Sequence, residues 1–147
     1  MAQNGSYIVI NGKTYIAKPR DYVARVDHDA VAGSVVSVAL QIDSSSAFIL
    51  QSRHMDDTND PSTGAPGLYG QYESLVQIQD TSNGYLWSND FEPRSAFSNW
   101  RGSGFPLPTQ VMIDMNTQLQ VRIQNPAVGA SAGTAWVILR GLSIYPA

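Results

Sequence analysis

The stretch Phe105–Asn125, FPLPTQVMIDMNTQLQVRIQN, followed after a small-residue loop by TAWVILRG over Thr134–Gly141, decides the fold class. Leu119, Val121 and Ile123 alternate without a break with Gln118, Gln120, Arg122 and Gln124, the period of a strand with one dry and one wet face. Upstream, Phe105-Pro106-Leu107-Pro108 reads as a turn leading into a strand over Val111–Asp114, and Asn116 supplies the turn to the alternating strand. Downstream, Trp136, Val137, Ile138 and Leu139 form an almost continuous apolar run, as expected of a central strand covered on both faces.

The same periodicity extends toward the N-terminus. Val36, Val38, Leu40 and Ile42 alternate with Ser37, Ala39 and Gln41; Ala47–Gln51 forms the next strand; and Val76 and Ile78 alternate with Gln77 and Gln79 ahead of a return at Tyr85–Trp87. Asn11-Gly12 between Tyr7–Ile10 and Lys13–Ala17 is the preferred pair for a type I′ hairpin turn. Lys18-Pro19 is expected to break that strand. Tyr22, Val23, Val26 and Ala30 then fall at roughly helical spacing behind Asp21, so a short helix over Asp21–Ala32 is compatible with the pattern, weakened by its β-branched residues. On this reading residues 1–33 form an arm with a hairpin, punctuated by Gly33, and residues 34–147 form the sandwich domain. Arg53–Gly70, dense in Asp, Asn, Pro and Gly, reads as a long loop. About eight strands at even spacing predict an all-β antiparallel sandwich of jelly-roll type.

Composition narrows the function. The chain has 147 residues, enough for one domain with its own core. Charged residues make up only 14%, well below the usual quarter or so, and Gln, Ser, Asn and Thr take their place, which suits a surface that packs against neighbours. A net charge of −3 and a pI near 5.1 lack the basic footprint that nucleic acid requires. No apolar run is long enough for a membrane-spanning helix, and Met1–Gly5 does not read as a secretion signal. With no cysteine, disulfides, thiolate metal sites and a cysteine nucleophile are excluded.

No catalytic motif is present. The histidines, His28 and His54, lie in no triad or metal signature and no G-x-S-x-G elbow exists, so the chain is expected not to be an enzyme and to carry no cofactor. His54 reads as a locally bonded loop residue and His28 as a polar residue of the arm. Asp56-Asp57-Thr58-Asn59-Asp60 offers oxygen ligands of the kind calcium prefers but fails the EF-hand pattern at Pro61 and Gly67, so it reads as a solvated acidic turn and no metal site is assigned. Tyr69, Tyr72, Tyr85, Trp87, Phe91, Phe97 and Trp100 form an aromatic set suited to interface anchoring or the core or, alternatively, to stacking on a sugar, with Glu92, Arg94 and Arg101 as rim charges. The candidate interface residues are Tyr7, Val9, Tyr15, Tyr69, Trp87, Phe91, Phe97, Trp100 and Arg101.

The order turn, apolar strand, polar strand, Asn-rich loop and final strand ending in Gly, carried here by Phe105–Pro108, Val111–Ile113, Leu119–Ile123, Asn125 and Trp136–Gly141, resembles virion structural proteins of tailed bacteriophages of jelly-roll or β-sandwich type. The resemblance covers roughly Ala47–Ile144. It implies a non-enzymatic capsid-decoration, neck, tail or baseplate component, made in the host cytoplasm and located in the virion. It also implies assembly with itself, for example as a trimer or ring, and with other virion proteins. The alternative is a carbohydrate-binding sandwich module for host-surface attachment, with a glycan as partner.

Overall fold

The computed structural model describes residues 6–57, 74–93, 96, 105–127, 130 and 132–147. Ten strands are formed among them: β1 Ser6–Ile10, β2 Lys13–His28, β3 Val35–Gln41, β4 Ala47–Asp57, β5 Leu75–Asp80, β6 Tyr85–Leu86, β7 Glu92–Pro93, β8 Phe105–Ile113, β9 Gln118–Gln124 and β10 Gly133–Pro146. They build two antiparallel sheets, one in the order β1-β2-β10-β4-β8 and the other β3-β9-β5-β6 with β7 also on β5. The chain is an all-β sandwich.

The pairing is nested about the middle of the sequence. β2 pairs with β10, β3 with β9, β4 with β8 and β5 with β6, and the two halves are stitched by β10 on β4 and β9 on β5. That is the strand order of a jelly roll, in which one long folded ribbon is rolled so that its two layers face each other. β1 lies outside the roll as an extra edge strand on β2.

The dry faces of both sheets meet in one core. Leu119, Val121 and Ile123 of β9 face Ala135, Val137 and Leu139 of β10, Phe48, Leu50 and Met55 of β4, and Tyr22, Ala24 and Val26 of β2. All but Tyr22, Ala24 and Leu50 are 0% exposed, and the Tyr22 ring meets Phe48 edge-on at 4.9 Å. Trp136 and Ile138, on the other face of β10, are only half-buried beside their register partners Arg25, Asp56, Val23 and His54. The last strand is therefore central but covered completely on one face only.

The helix and the strand break expected within residues 18–32 are not formed. β2 continues through Pro19 to His28, and Tyr22, Ala24, Val26 and His28 are buried while Asp21, Val23, Arg25 and Asp27 are exposed. Tyr22 and Val26 are four residues apart, a spacing that satisfies the helical period and twice the strand period alike; Ala24 decides between them. Pro19 is tolerated because of its side of the ladder. Ala147 N–H donates to Thr14 C=O, so even-numbered residues of β2 face β10 and Pro19 faces the other way. The β2–β10 ladder therefore loses no bond at Pro19. Since Tyr22, Ala24 and Val26 share the core with β9 and β10, residues 13–28 are a wall of the roll and not an arm set apart from it.

Two further expectations change. Phe105–Pro108 is not a turn but the start of β8. The strand expected over Ala47–Gln51 runs on to Asp57, which takes Arg53–Asp57 out of the expected loop; its continuation, residues 58–70, lies outside the described residues. Tyr72 of the aromatic set also lies outside them. The Asn11-Gly12 hairpin forms as expected, with φ of 51° and 77° at its two central residues.

The sheet carries one close approach that constrains the sequence. Between Arg140 and Gly141 the β10–β4 register shifts by one, so that Gln51 is an extra residue on β4. At this kink Gly141 lies against the Ile49 backbone, and a Cβ there would run into the Ile49 carbonyl oxygen and crowd the Phe48 ring. Neither obstacle is the free end of a flexible side chain. Gly141→Ala is expected to cost about 2–3 kcal/mol or more, by the overpacking scale for cores, read as a lowered urea midpoint at unchanged slope.

Candidate functional site

Three places gather the residues with functional potential: a buried polar corner, an open cleft between sheet edges, and the β1 edge. The corner is built where the chain leaves β2 for the opposite sheet. His28, at the end of β2, stands opposite Gly133 of β10, and Asp57, at the end of β4, stands opposite Ala135. With so little side chain on the intervening strand, His28 reaches across it, and Nε2 lies 2.8 Å from Asp57 Oδ1. The two side chains are 1% and 0% exposed.

His28 Nδ1 donates to Asp29 C=O at 3.3 Å, since a carbonyl only accepts. Both ring nitrogens are thus engaged inside the protein. The Asp29 carboxylate accepts from Ser34 Oγ at 2.6 Å and from Val31 N–H at 2.9 Å, and Asn125 Nδ2, buried at the end of β9, donates to Asp29 C=O at 2.7 Å and to Asp29 Oδ1 at 3.0 Å. These bonds tie the β2–β3 connection to the ends of β4 and β9, which gives the cluster a structural role in fixing the corner. His28 is not an exposed polar residue, and His54 is not on a loop: it lies half-buried on β4 opposite Ile138.

The cleft opens between β8, at one edge of the first sheet, and β6, at one edge of the second. Leu50 and Arg53 of β4, Leu107 and Val111 of β8, Tyr85 of β6 and Trp87 just beyond it line a volume of about 260 Å³. The extra residue at Gln51 puts Leu50 and Arg53 on the same face. Arg53 Nη1 lies 3.6 Å from Glu92 Oε1 of β7, an ion pair that links the two sheets beside the cleft. The Trp87 backbone N–H donates to Ile78 C=O at 3.0 Å, and its side chain packs half-buried against the core. Tyr85 is 65% exposed and Trp87 is not, so the cleft has one aromatic wall held rigid and one open to solvent.

The candidate interface residues separate accordingly. Tyr7 and Val9 are exposed on β1, at 67% and 68%. Tyr15 instead packs with Ile8 and Ile10 against Ala17, Ile49 and Ile144, a second apolar cluster on the far face of the first sheet. Trp87 belongs to the cleft, and Phe91 is half-buried between β6 and β7. Tyr69, Phe97, Trp100 and Arg101 lie outside the described residues, as do Thr58, Asn59 and Asp60 of the acidic run and the rim residue Arg94. Among the described residues no three His, Cys, Asp or Glu side chains gather as a metal group, and Asp57 of that run faces inward to His28.

Sequence reasoning missed Arg53, Leu50 and Leu107 as cleft residues and Asp29, Ser34 and Asn125 as the corner. A bulge that resets side-chain parity leaves no mark in the alternation. Asn125 and Asp29 carried a usable signal as capping-type residues at strand ends, although their meeting depends on 96 residues of intervening chain.

The Ser34 hydroxyl, and after it the Val31 N–H, hold the Asp29 carboxyl below its ordinary value of 3.8. A carboxyl depressed in the folded state adds stability that is present above its unfolded value and is lost as pH falls through the folded one. Ser34→Ala removes the larger cause. The gap between wild-type and variant urea midpoints is therefore expected to be widest near neutral pH and to close as pH falls below about 3.8. No family model matches the chain, and comparison with curated proteins gives no match.

Proposed function

We propose that this chain is a non-enzymatic structural protein of a virus particle, of the tailed-phage kind, which acts by subunit assembly as a shell-decoration, neck or tail component. The observation that carries this reading is a jelly roll with an additional, uncharged edge strand whose Tyr7 and Val9 side chains stand two-thirds exposed. Jelly rolls are the common architecture of capsid domains, so the nested strand order supports the proposal; fold alone does not assign it. A surface low in charge, with further exposed apolar side chains at Val35, Val111, Met112 and Met115, supports contacts made by packing. The direct test combines two measurements. Light scattering coupled to size exclusion is expected to return a discrete homo-oligomer, and an antibody to the chain is expected to label purified virus particles. A monomer at every concentration that labels no particle overturns the reading.

The cleft favours a second reading, a carbohydrate-binding module. Tyr85 and Trp87 supply apolar ring faces, the Arg53–Glu92 pair supplies polar groups, and the volume suits a single sugar ring. Tyr85 is exposed enough to be removed without cost to the core. Under this reading Tyr85→Ala weakens a saturable glycan-array signal about tenfold, the scale of one stacking contact, at unchanged melting temperature; no signal from the wild type rejects it.

A further inference from the structure

Sheet edges invite additional strands, and proteins usually blunt them with prolines, charges, bulges or shortness. Among the described residues the free edges are β1 and β8 in one sheet and β3, β6 and the two-residue, charged and proline-containing β7 in the other. β8 carries Pro106 and Pro108, neither of which has an N–H to offer. β6 is two residues long. β3 is without proline, charge or register shift, but its exposed positions after Val35 are the polar or small Ser37, Ala39 and Gln41. β1 has none of these devices. Ser6-Tyr7-Ile8-Val9-Ile10 contains no charge and no proline, and it runs in unbroken register along β2.

The hairpin fixes which backbone groups that edge offers. A two-residue turn closes on a hydrogen-bonded pair, here Ile10↔Lys13, and such pairs recur at every second residue, so Ile8 and Ser6 also bond to β2. The N–H and C=O groups of Tyr7 and Val9 therefore point away from β2, at the very residues whose side chains are most exposed on this strand.

We propose that this edge pairs with the same edge of a second copy of the chain, antiparallel about a two-fold axis at Ile8. The inference rests on the assembly reading above and names its surface. In that register Tyr7 stands opposite the partner's Val9, and each such pair exchanges both of its backbone hydrogen bonds. The side chains on that face form an aromatic and β-branched cross-strand pair, a favoured combination. On the other face Ile8 meets the partner's Ile8, and the two Ile8–Ile10–Ile49–Ile144 clusters become one apolar surface across the axis. The occupant is a second copy because the strand is self-complementary when reversed about its middle residue. Two chains of net charge −3 also meet there without either bringing a charge to the contact. Pairing of β1 with β8 of a neighbour, which would build open arrays, meets the two prolines instead.

The test is the full-length chain by sedimentation equilibrium over a wide concentration range, as wild type, Val9→Pro and Tyr7→Lys. Val9→Pro deletes an outward N–H and leaves the β1–β2 bonds in place; Tyr7→Lys leaves every backbone bond in place and sets a charge on the contact. Both are expected to raise the dimer dissociation constant at least about tenfold, the effect of losing a net hydrogen bond or two, with melting temperatures close to wild type. Should Val9→Pro unsettle the hairpin, Tyr7→Lys decides alone. If the wild type self-associates and Tyr7→Lys associates equally well, the β1 edge is not the contact, while assembly stands. If the wild type is a monomer throughout, both the edge pairing and assembly through the free chain fall.

Discussion

The roll is closed by the pairing of its two ends, β2 with β10, over fourteen register partners from Tyr15↔Pro146 to His28↔Gly133. Every other pair of the roll is nested inside this one, so the placement of both sheets follows from it; β1 alone is added outside it. The pairing joins the most distant strands of the roll, and along it Arg140 donates to Asp21 across 119 residues, Nε to Oδ1 at 3.0 Å and Nη2 to Oδ2 at 3.1 Å. That ion pair is exposed and contributes little by itself. What holds the seam is the row of Tyr22, Ala24, Val26 against Ala135, Val137, Leu139, which removes both strands' dry faces from water together. Because the loop-closure entropy must be met before this row forms, such a topology belongs to the slow-folding, high-contact-order class.

The alternation that identifies a strand from its own residues worked where the strand was self-sufficient and failed where its fate depended on a distant partner. β9 was legible because Leu119, Val121 and Ile123 carry the period alone. β2 was not, because two of its core residues fit two periods and its proline reads locally as a break; only the direction in which its nitrogen points, away from β10, makes that proline harmless. β4 was half legible. Its apolar start was clear, but Arg53–Asp57 has the composition of a loop, and Asp57 becomes a strand residue with a buried side chain through a histidine 29 residues away. Burying that carboxylate without a partner would be prohibitive, so the end of β4 and the end of β2 are set by each other.

A similar dependence governs the polar surface. The glutamines read as a coat for neighbouring molecules, yet several are spent within the sheet. Gln120 donates to Ser37, Arg122 to Gln77 and Gln79, and Gln77, only 6% exposed, also bonds Ser88 C=O. These rungs join β3, β9 and β5 on the wet face and account for part of the low charge without any partner. The aromatic set likewise divides on contact with the fold: Trp87 is anchored by its backbone N–H and lines a cleft, Tyr15 belongs to an apolar cluster, and Tyr7 alone of the tyrosines on the hairpin stands free of such packing. The interface roles read from residue type could not separate these cases, because the type of a side chain does not say which face of which strand carries it.

The exposed edge strand is the feature that folding itself does not explain. β1 adds no wall to the main core, whose buried members begin at Tyr22, and its contribution to the second cluster comes from Ile8 and Ile10. Tyr7 and Val9 point the other way, so a lysine or glutamate at either position would leave the hairpin turn, the β2 ladder and both clusters intact. Fold stability therefore places no demand on the absence of charge at these two positions, whereas solubility favours charge at an open edge. The edge at β8, by contrast, is closed to strand addition by two prolines. The first sheet thus protects one end with prolines and leaves the other apolar, with its outward backbone groups unblocked.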